Sequence, residues 1–151
     1  MPQQTTELRT ASFADLDART LHDLLKLRVD VFVVEQNCPY PDIDGRDVEP
    51  GTRHLWLTDG DAPLAYLRIL ADPGGLARIG RVVVAPTARG GGHAGRLMTA
   101  ALEVVGNQPC VLEAQSHLVG FYARHGFEVN GPEYLEDGIP HTPMRRAAID
   151  A

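Results

Sequence analysis

The chain has 151 residues, 44% hydrophobic and 23% charged, with a formal net charge of −6. That balance predicts one globular domain over residues 1–151. The acidic excess argues against a nucleic-acid partner, which needs a basic patch to neutralise phosphates. No apolar run approaches the roughly 20 residues that span a bilayer, so no membrane partner is expected. The opening Met1-Pro-Gln-Gln-Thr-Thr lacks the basic and apolar regions of a secretion signal, which points to the cytoplasm. In chain order, Leu8 to Ala11 reads as a first strand. Thr20, with Asp23 three residues on, reads as the cap of a helix whose inner stripe is Leu21, Leu24, Leu25, Arg28, Val31 and Phe32. The Pro-, Asp- and Gly-rich stretch from Cys38 to Gly51 reads as a loop. Strands follow at His54–Thr58 and Leu64–Leu70, and a turn at Asp72-Pro-Gly-Gly75 leads into a strand ending near Val84. Strands joined this closely predict an antiparallel meander.

Beyond Val84 the order changes. A helix is expected over 92–105, stopped by Gly106-Asn107, then a strand over 110–114, a short helix over 117–125 and a strand over 127–130. Thr142 to Arg146 is expected to close the sheet. Strand, helix and strand around residues 85–109 imply a parallel crossover. The expected fold is therefore mixed α/β: a central, mostly antiparallel sheet flanked by helices. The two cysteines, Cys38 and Cys110, have no zinc spacing, and six scattered histidines give no i, i+4 pair, so no metal site is expected.

The segment with most chemical content is Arg89-Gly90-Gly91-Gly92-His93-Ala94-Gly95, between the strand and the helix. Glycine lets backbone approach a ligand, and a helix N-terminus offers unpaired N–H groups and partial positive charge. Arg89 adds a full charge, so the expected ligand is a phosphate or pyrophosphate. A flexible surface turn is the plain alternative. Gly90, Gly92 and Gly95 also satisfy G-x-G-x-x-G. A dinucleotide fingerprint, however, starts on the strand's own turn, whereas Ala85 to Ala88 intervene here. A P-loop is excluded, because no Gly-Lys-Ser/Thr follows.

Arg89-Gly-Gly-Gly92-His-Ala94 fits Q/R-x-x-G-x-G/A and resembles the coenzyme A pyrophosphate loop of the GNAT superfamily of N-acetyltransferases. Further on, Gln115-Ser-His-Leu-Val-Gly-Phe121-Tyr122-Ala-Arg-His-Gly126-Phe127 resembles that family's second signature, with Gln115 where many members have Asn. Three other stretches are similar to the ElaA-like branch: Arg28 to Tyr40, Asp42-Ile-Asp44-Gly45, and Glu136-Asp-Gly-Ile-Pro-His141. The resemblance implies an N-acetyltransferase fold with acetyl-CoA as co-substrate and a small-molecule or peptide amine as acceptor. It implies that pantetheine lies along Val82-Val83-Val84, with a backbone N–H of that strand polarising the thioester. Pyrophosphate would sit on Arg89, Gly90, Gly91, Gly92, His93, Ala94 and Gly95, with Gln115 and Phe121 also at the cofactor.

Tyr122 aligns with the tyrosine that protonates the departing thiolate in many relatives; a core aromatic is its alternative, since Leu118, Phe121 and His125 are neighbours on the helix. Some relatives carry a glutamate on the strand before the loop, where this chain has Arg78, Gly80 and Arg81. Glu35 is the substitute candidate for the general base, followed by His54, His117 or a chain of waters. The expected activity is direct transfer of an acetyl group from acetyl-CoA to a primary amine. The missing carboxylate leaves a non-catalytic acyl-CoA sensor as the alternative. The acids Asp42, Asp44, Asp47 and Glu49, with Glu133, Glu136 and Asp137, are either solvated loops or a negative funnel for a cationic acceptor.

Overall fold

Asp17 is a strong helix-capping residue, and its carboxylate accepts the Thr20 N–H at 2.7 Å. This cap opens helix α1, Ala18–Val29, in the computed structural model, which describes residues 6–149. The segment 1–5, read above for a leader, lies outside the described residues. Thr20 is thus not the cap; it lies inside the first turn, and its own N–H is the group satisfied. α1 buries Leu24, Leu27 and Arg28. The helix then widens into a π-turn over Asp30–Glu35, with Gln36 N–H bonding to Val31 O at 3.0 Å, five residues back. The run Val29, Val31, Val33, Val34 crowds an α-helix at χ1, and π-turns recur at functional sites.

The strands are β1, Glu7–Ala11, then β2, Arg53–Thr58, β3, Pro63–Asp72, and β4, Leu76–Val84. Helix α2, His93–Val105, leads to β5, Cys110–Gln115, and the short α3, Val119–Ala123. Last come β6, Glu128–Val129, β7, Tyr134–Glu136, and β8, Ile139–Arg146. The sheet order is β1-β2-β3-β4-β5-β8-β6, with β7 paired to β8. Every pair is antiparallel except β4–β5, the crossover through α2. β8 does not close the sheet at an edge; it lies between β5 and the edge strand β6. β7 had no sequence signal, because Tyr134, Leu135 and Glu136 are all exposed.

The period-2 alternation of the strands puts a helix on each face. Leu55, Leu57, Leu67, Ile79 and Leu112 pack with Leu97, Met98, Ala101 and Val105 of α2. On the opposite face Trp56, Tyr66 and Val83 pack with Leu24, Leu27 and Val31. Cys110 is a fully buried part of the first cluster.

Two irregularities in β4 shape the site. Its parallel pairing with β5 covers only Ala77 with Cys110 and Arg78 with Val111, after which the two strands part. Opposite β3 the register shifts between Tyr66, which faces Val83, and Arg68, which faces Gly80. Arg81 and Val82 therefore share one partner position, a β-bulge. Arg81 takes the left-handed conformation, φ +54°, which costs an L-residue roughly 1–2 kcal/mol.

Candidate functional site

A cleft of about 630 Å³ opens where β4 and β5 part. Val82, Val83, Val84, Arg89, Ala94, Gln115, Phe121, Tyr122 and Glu35 all line it, so nine expected residues from five separate segments meet in one place. Gly90, Gly91, Gly92, His93 and Gly95 do not line the cleft itself. They form the loop and first helical turn between Arg89 and Ala94, at its end.

The valines are not equivalent. Ala85 N–H bonds to Leu64 O on β3 at 2.8 Å, and strand alternation turns Val83 the same way. The peptide groups of Val82 and Val84 therefore face the open edge toward β5. Val84 O accepts from Arg89 Nε at 3.4 Å. An extended ligand carrying amides can add to such an edge as an extra strand.

Gly90 and Gly92 both adopt positive φ, +85° and +78°, which curls the loop under the helix. Gly92 is the N-cap of α2 and supplies no side-chain cap; the first turn holds no acidic residue. The first helical bond is Arg96 N–H to Gly92 O at 3.1 Å. The N–H groups of His93, Ala94 and Gly95 are thus directed out of the helix end, an arrangement that suits an anion.

Tyr122 is both a core aromatic and a cleft residue. It is buried, stacks edge-on against Phe121 at 5.0 Å, and its hydroxyl has no hydrogen-bond partner among the described residues. Burial alone pushes its pKa up to about 12. It therefore stays protonated at neutral pH and has an O–H to donate.

Glu35 has another partner. Its carboxylate takes both Nη groups of Arg89 in a bidentate pair, with Arg89 Nη1 donating at 2.9 Å. That hydrogen bond, and the charge behind it, lower its pKa. A weakly basic carboxylate does not suit proton abstraction, so the geometry does not carry the expectation that Glu35 is the general base. His54 is outside the cleft, with Nδ1 against Tyr66 Oη at 2.6 Å and Nε2 donating to Asp47 O at 3.0 Å. His117 lines the cleft and is exposed.

His141 was missed as a site residue. It lines the cleft, and Nδ1 donates to Ile139 O at 2.8 Å. A carbonyl can only accept, so this bond leaves the Nε2 lone pair free when the ring is neutral. The available sequence signal was its place at the end of Glu136-Asp-Gly-Ile-Pro-His141. Across the cleft, Gln115 Nε2 donates to Gln36 Oε1 at 3.4 Å.

The acidic loop after α1 is not a funnel. Asp42 is bound by Arg28 and faces Arg81 (2.9 Å), while Asp44 pairs with Arg68 at 2.6 Å. Asp47 pairs with Arg28 at 2.7 Å and Arg68 at 3.0 Å. Hydrogen bonding from Arg68 holds the Asp44 carboxyl well below the usual range. Burial pushes Asp47 up, but Arg28 and Arg68 outweigh it and its pKa falls. Asp42 and Asp47 are buried against arginines, and Asp44, at the surface, is paired with Arg68. Glu136 and Asp137, by contrast, line the cleft, are exposed, and have no ion-pair partner among the described residues.

An open strand edge running into a glycine loop and a helix N-terminus suits a long, amide-bearing ligand that ends in phosphates, and the fold is that of the acyl-CoA-dependent acyltransferases. Residues 26–148 match the acetyltransferase (GNAT) domain family. The chain is 51% identical to a UPF0039 protein of Mycobacterium bovis, over 94% of each chain. Against protein ElaA of Escherichia coli it is 43% identical, covering 91% of this chain and 94% of that one. The crystal structure of ElaA superposes with a TM-score of 0.89 at 40% identity, covering 94% of this chain and 99% of that one. An acyl-CoA N-acyltransferase from Pseudomonas aeruginosa gives 0.90 at 44% identity, covering 95% of this chain and all of the other. The chain belongs to the GNAT acetyltransferase family and to its ElaA-like branch.

Proposed function

We propose that the protein transfers an acetyl group from acetyl-CoA to a primary amine by direct attack. The observation that carries this reading is the unpaired β4 edge, leading from Val82 into the glycine loop, with the Tyr122 hydroxyl in the same cleft. Pantetheine amides pair with the peptide groups of Val82 and Val84, and a strand N–H binds the thioester oxygen as it becomes an oxyanion. Pyrophosphate lies on the loop and the first turn of α2, and displaces Glu35 from Arg89 or shares that guanidinium with it.

The neutral amine attacks the carbonyl carbon, forming the C–N bond. The C–S bond then breaks, and Tyr122 hydrogen-bonds and protonates the departing sulfur. The proton lost by the nitrogen goes to His141 Nε2, and solvent restores both groups. No acyl-enzyme is involved: among the described residues neither thiol is hydrogen-bonded to a side-chain base, Cys38 Sγ donating to Asp137 O, and burial pushes the Cys110 thiol up to about 11. The four arginines lining the cleft, Arg68, Arg78, Arg81 and Arg89, all face carboxylates. The unbalanced charge is that of Glu136 and Asp137, which favours a cationic small-molecule or peptide amine.

Replacing Gly95 tests the cofactor half of this reading with two effects of opposite sign. A Cβ at Gly95 meets nothing within 4 Å, and the residue lies in the first turn of α2. Gly95→Glu should stabilise the free protein by about 1 kcal/mol, through helix propensity and the dipole, and raise Tm by roughly 2–4 °C. The same carboxylate repels pyrophosphate, so the rise in Tm that coenzyme A gives the parent should vanish. A variant that coenzyme A stabilises as well as it does the parent would remove the pyrophosphate from this loop.

A further inference from the structure

The bulge in β4 is built unusually. Gly80 has ordinary strand geometry, with open space where its Cβ would be, while the left-handed position next to it is held by Arg81. A bulge alone would be made most easily with glycine at 81. The side chain of Arg81 explains the choice. Its Nη2 donates to Asp42 O at 3.0 Å. Its Nε lies 2.9 Å from Asp42 Oδ1 but off the hydrogen-bonding direction, so that contact is a charge pairing. Its guanidinium also lies 5.4 Å from the centre of the Tyr40 ring.

Asp42 is itself immobilised. Arg28, only 1% exposed, binds its Oδ2 at 3.1 Å and its carbonyl at 2.9 Å, and Tyr40 Oη donates to its Oδ1 at 2.6 Å. A buried anchor in the loop after α1 therefore grips the residue just before Val82, whose peptide group faces the open edge.

We infer that Arg81 is a positioning residue: its grip on Asp42 holds the strained bulge that aims the Val82 peptide at the thioester, and ties that strand to the loop after α1, whose Cys38 and Tyr40 line the cleft. The inference rests on the acyl-transfer reading above. Arg81 itself need not touch any reacting atom.

Glycine separates this role from a direct one, because it accepts the left-handed conformation without a tether. Arg81→Ala loses both grip and geometry, and should lower kcat by about 5- to 30-fold, the equivalent of the released strain. Arg81→Gly loses the grip alone. It should recover most of that loss in kcat, while KM for the amine stays raised because the Cys38–Gly51 loop has lost its tie. Asp42→Asn should lower kcat in the parent, and have little further effect on kcat in Arg81→Gly, since both act through one bulge. Turnover is read as thiol release from acetyl-CoA, and acetyl-CoA binding is read separately by calorimetry. Arg81→Gly as impaired in kcat as Arg81→Ala would mean that the side chain acts on substrate directly, and would overturn the inference. Alanine and glycine variants that both match the parent would overturn it too. Should Arg81→Ala not fold, the Arg81→Gly and Asp42→Asn pair decides alone: additive losses in kcat refute the shared bulge, non-additive losses support it. A parent that neither binds nor turns over acetyl-CoA would instead refute the acyl-transfer reading.

Discussion

Tyr122→Phe is expected to lower kcat by about 10²- to 10⁴-fold, the range for a lost general acid. The ring and its packing against Phe121 and Phe127 remain, so the fold and the affinity for acetyl-CoA should be nearly unchanged. The size of the effect follows from the surroundings. The ring is buried, while the hydroxyl lines the cleft, is unshared among the described residues and is protonated at neutral pH. Single-turnover kinetics with saturating acetyl-CoA measure the chemical step apart from product release. A variant with the parent's single-turnover rate would leave Tyr122 a core residue and nothing more.

The largest effect on stability is expected at Arg28. Its side chain is 1% exposed and lies between Asp42 at 2% and Asp47 at 7%. Arg28→Ala removes the arginine that two buried carboxylates share, leaving Asp47 with Arg68 alone and Asp42 with Arg81 and Tyr40; breaking buried ion pairs costs about 3–5 kcal/mol, or roughly 6–20 °C in Tm for a chain of this size. Acid should act on the same network. The folded pKa values of Asp44 and Asp47 are depressed, so their contribution is complete above the unfolded carboxylate pKa, about 3.9, and is lost as pH falls below it toward the folded values. Urea melts at pH 7 and at successively lower pH check both points. An Arg28→Ala protein within 1 kcal/mol of the parent would mean that these ion pairs are not what holds the loop after α1.

What could be read from the sequence was what is local in it. The glycine loop, the helix it opens and Tyr122 are signalled by residues within a turn or two of each other, and the structure gathers them into one cleft. The meander of β2, β3 and β4 was legible for the same reason, through alternation and turns. The ionic network was not. Its acids stand together at 42–47, but the arginines that meet them are at 28, 68 and 81, in three different elements. Read alone, the acids look like a charged funnel, and Arg28 looks like one more position in a helical stripe. The ion pair of Glu35 was not legible for a related reason. Its partner, Arg89, is 54 residues away, and only the fold makes the two a pair. The π-turn that delivers Glu35 there has no signal beyond a run of valines. β7 is short and exposed on every residue, so no period could reveal it or the cleft-lining hairpin that carries Glu136, Asp137 and His141.

The most direct test is release of free thiol from acetyl-CoA, with and without a panel of small primary amines, followed by mass spectrometry of the amine. The expected result is amine-dependent release, a product heavier by one acetyl group, faster reaction with cationic than with anionic acceptors, and loss of release in Tyr122→Phe. Tight binding of coenzyme A with no amine-dependent release across the panel would contradict it, and would make the protein a sensor of acyl-CoA that keeps the cofactor site without the transfer.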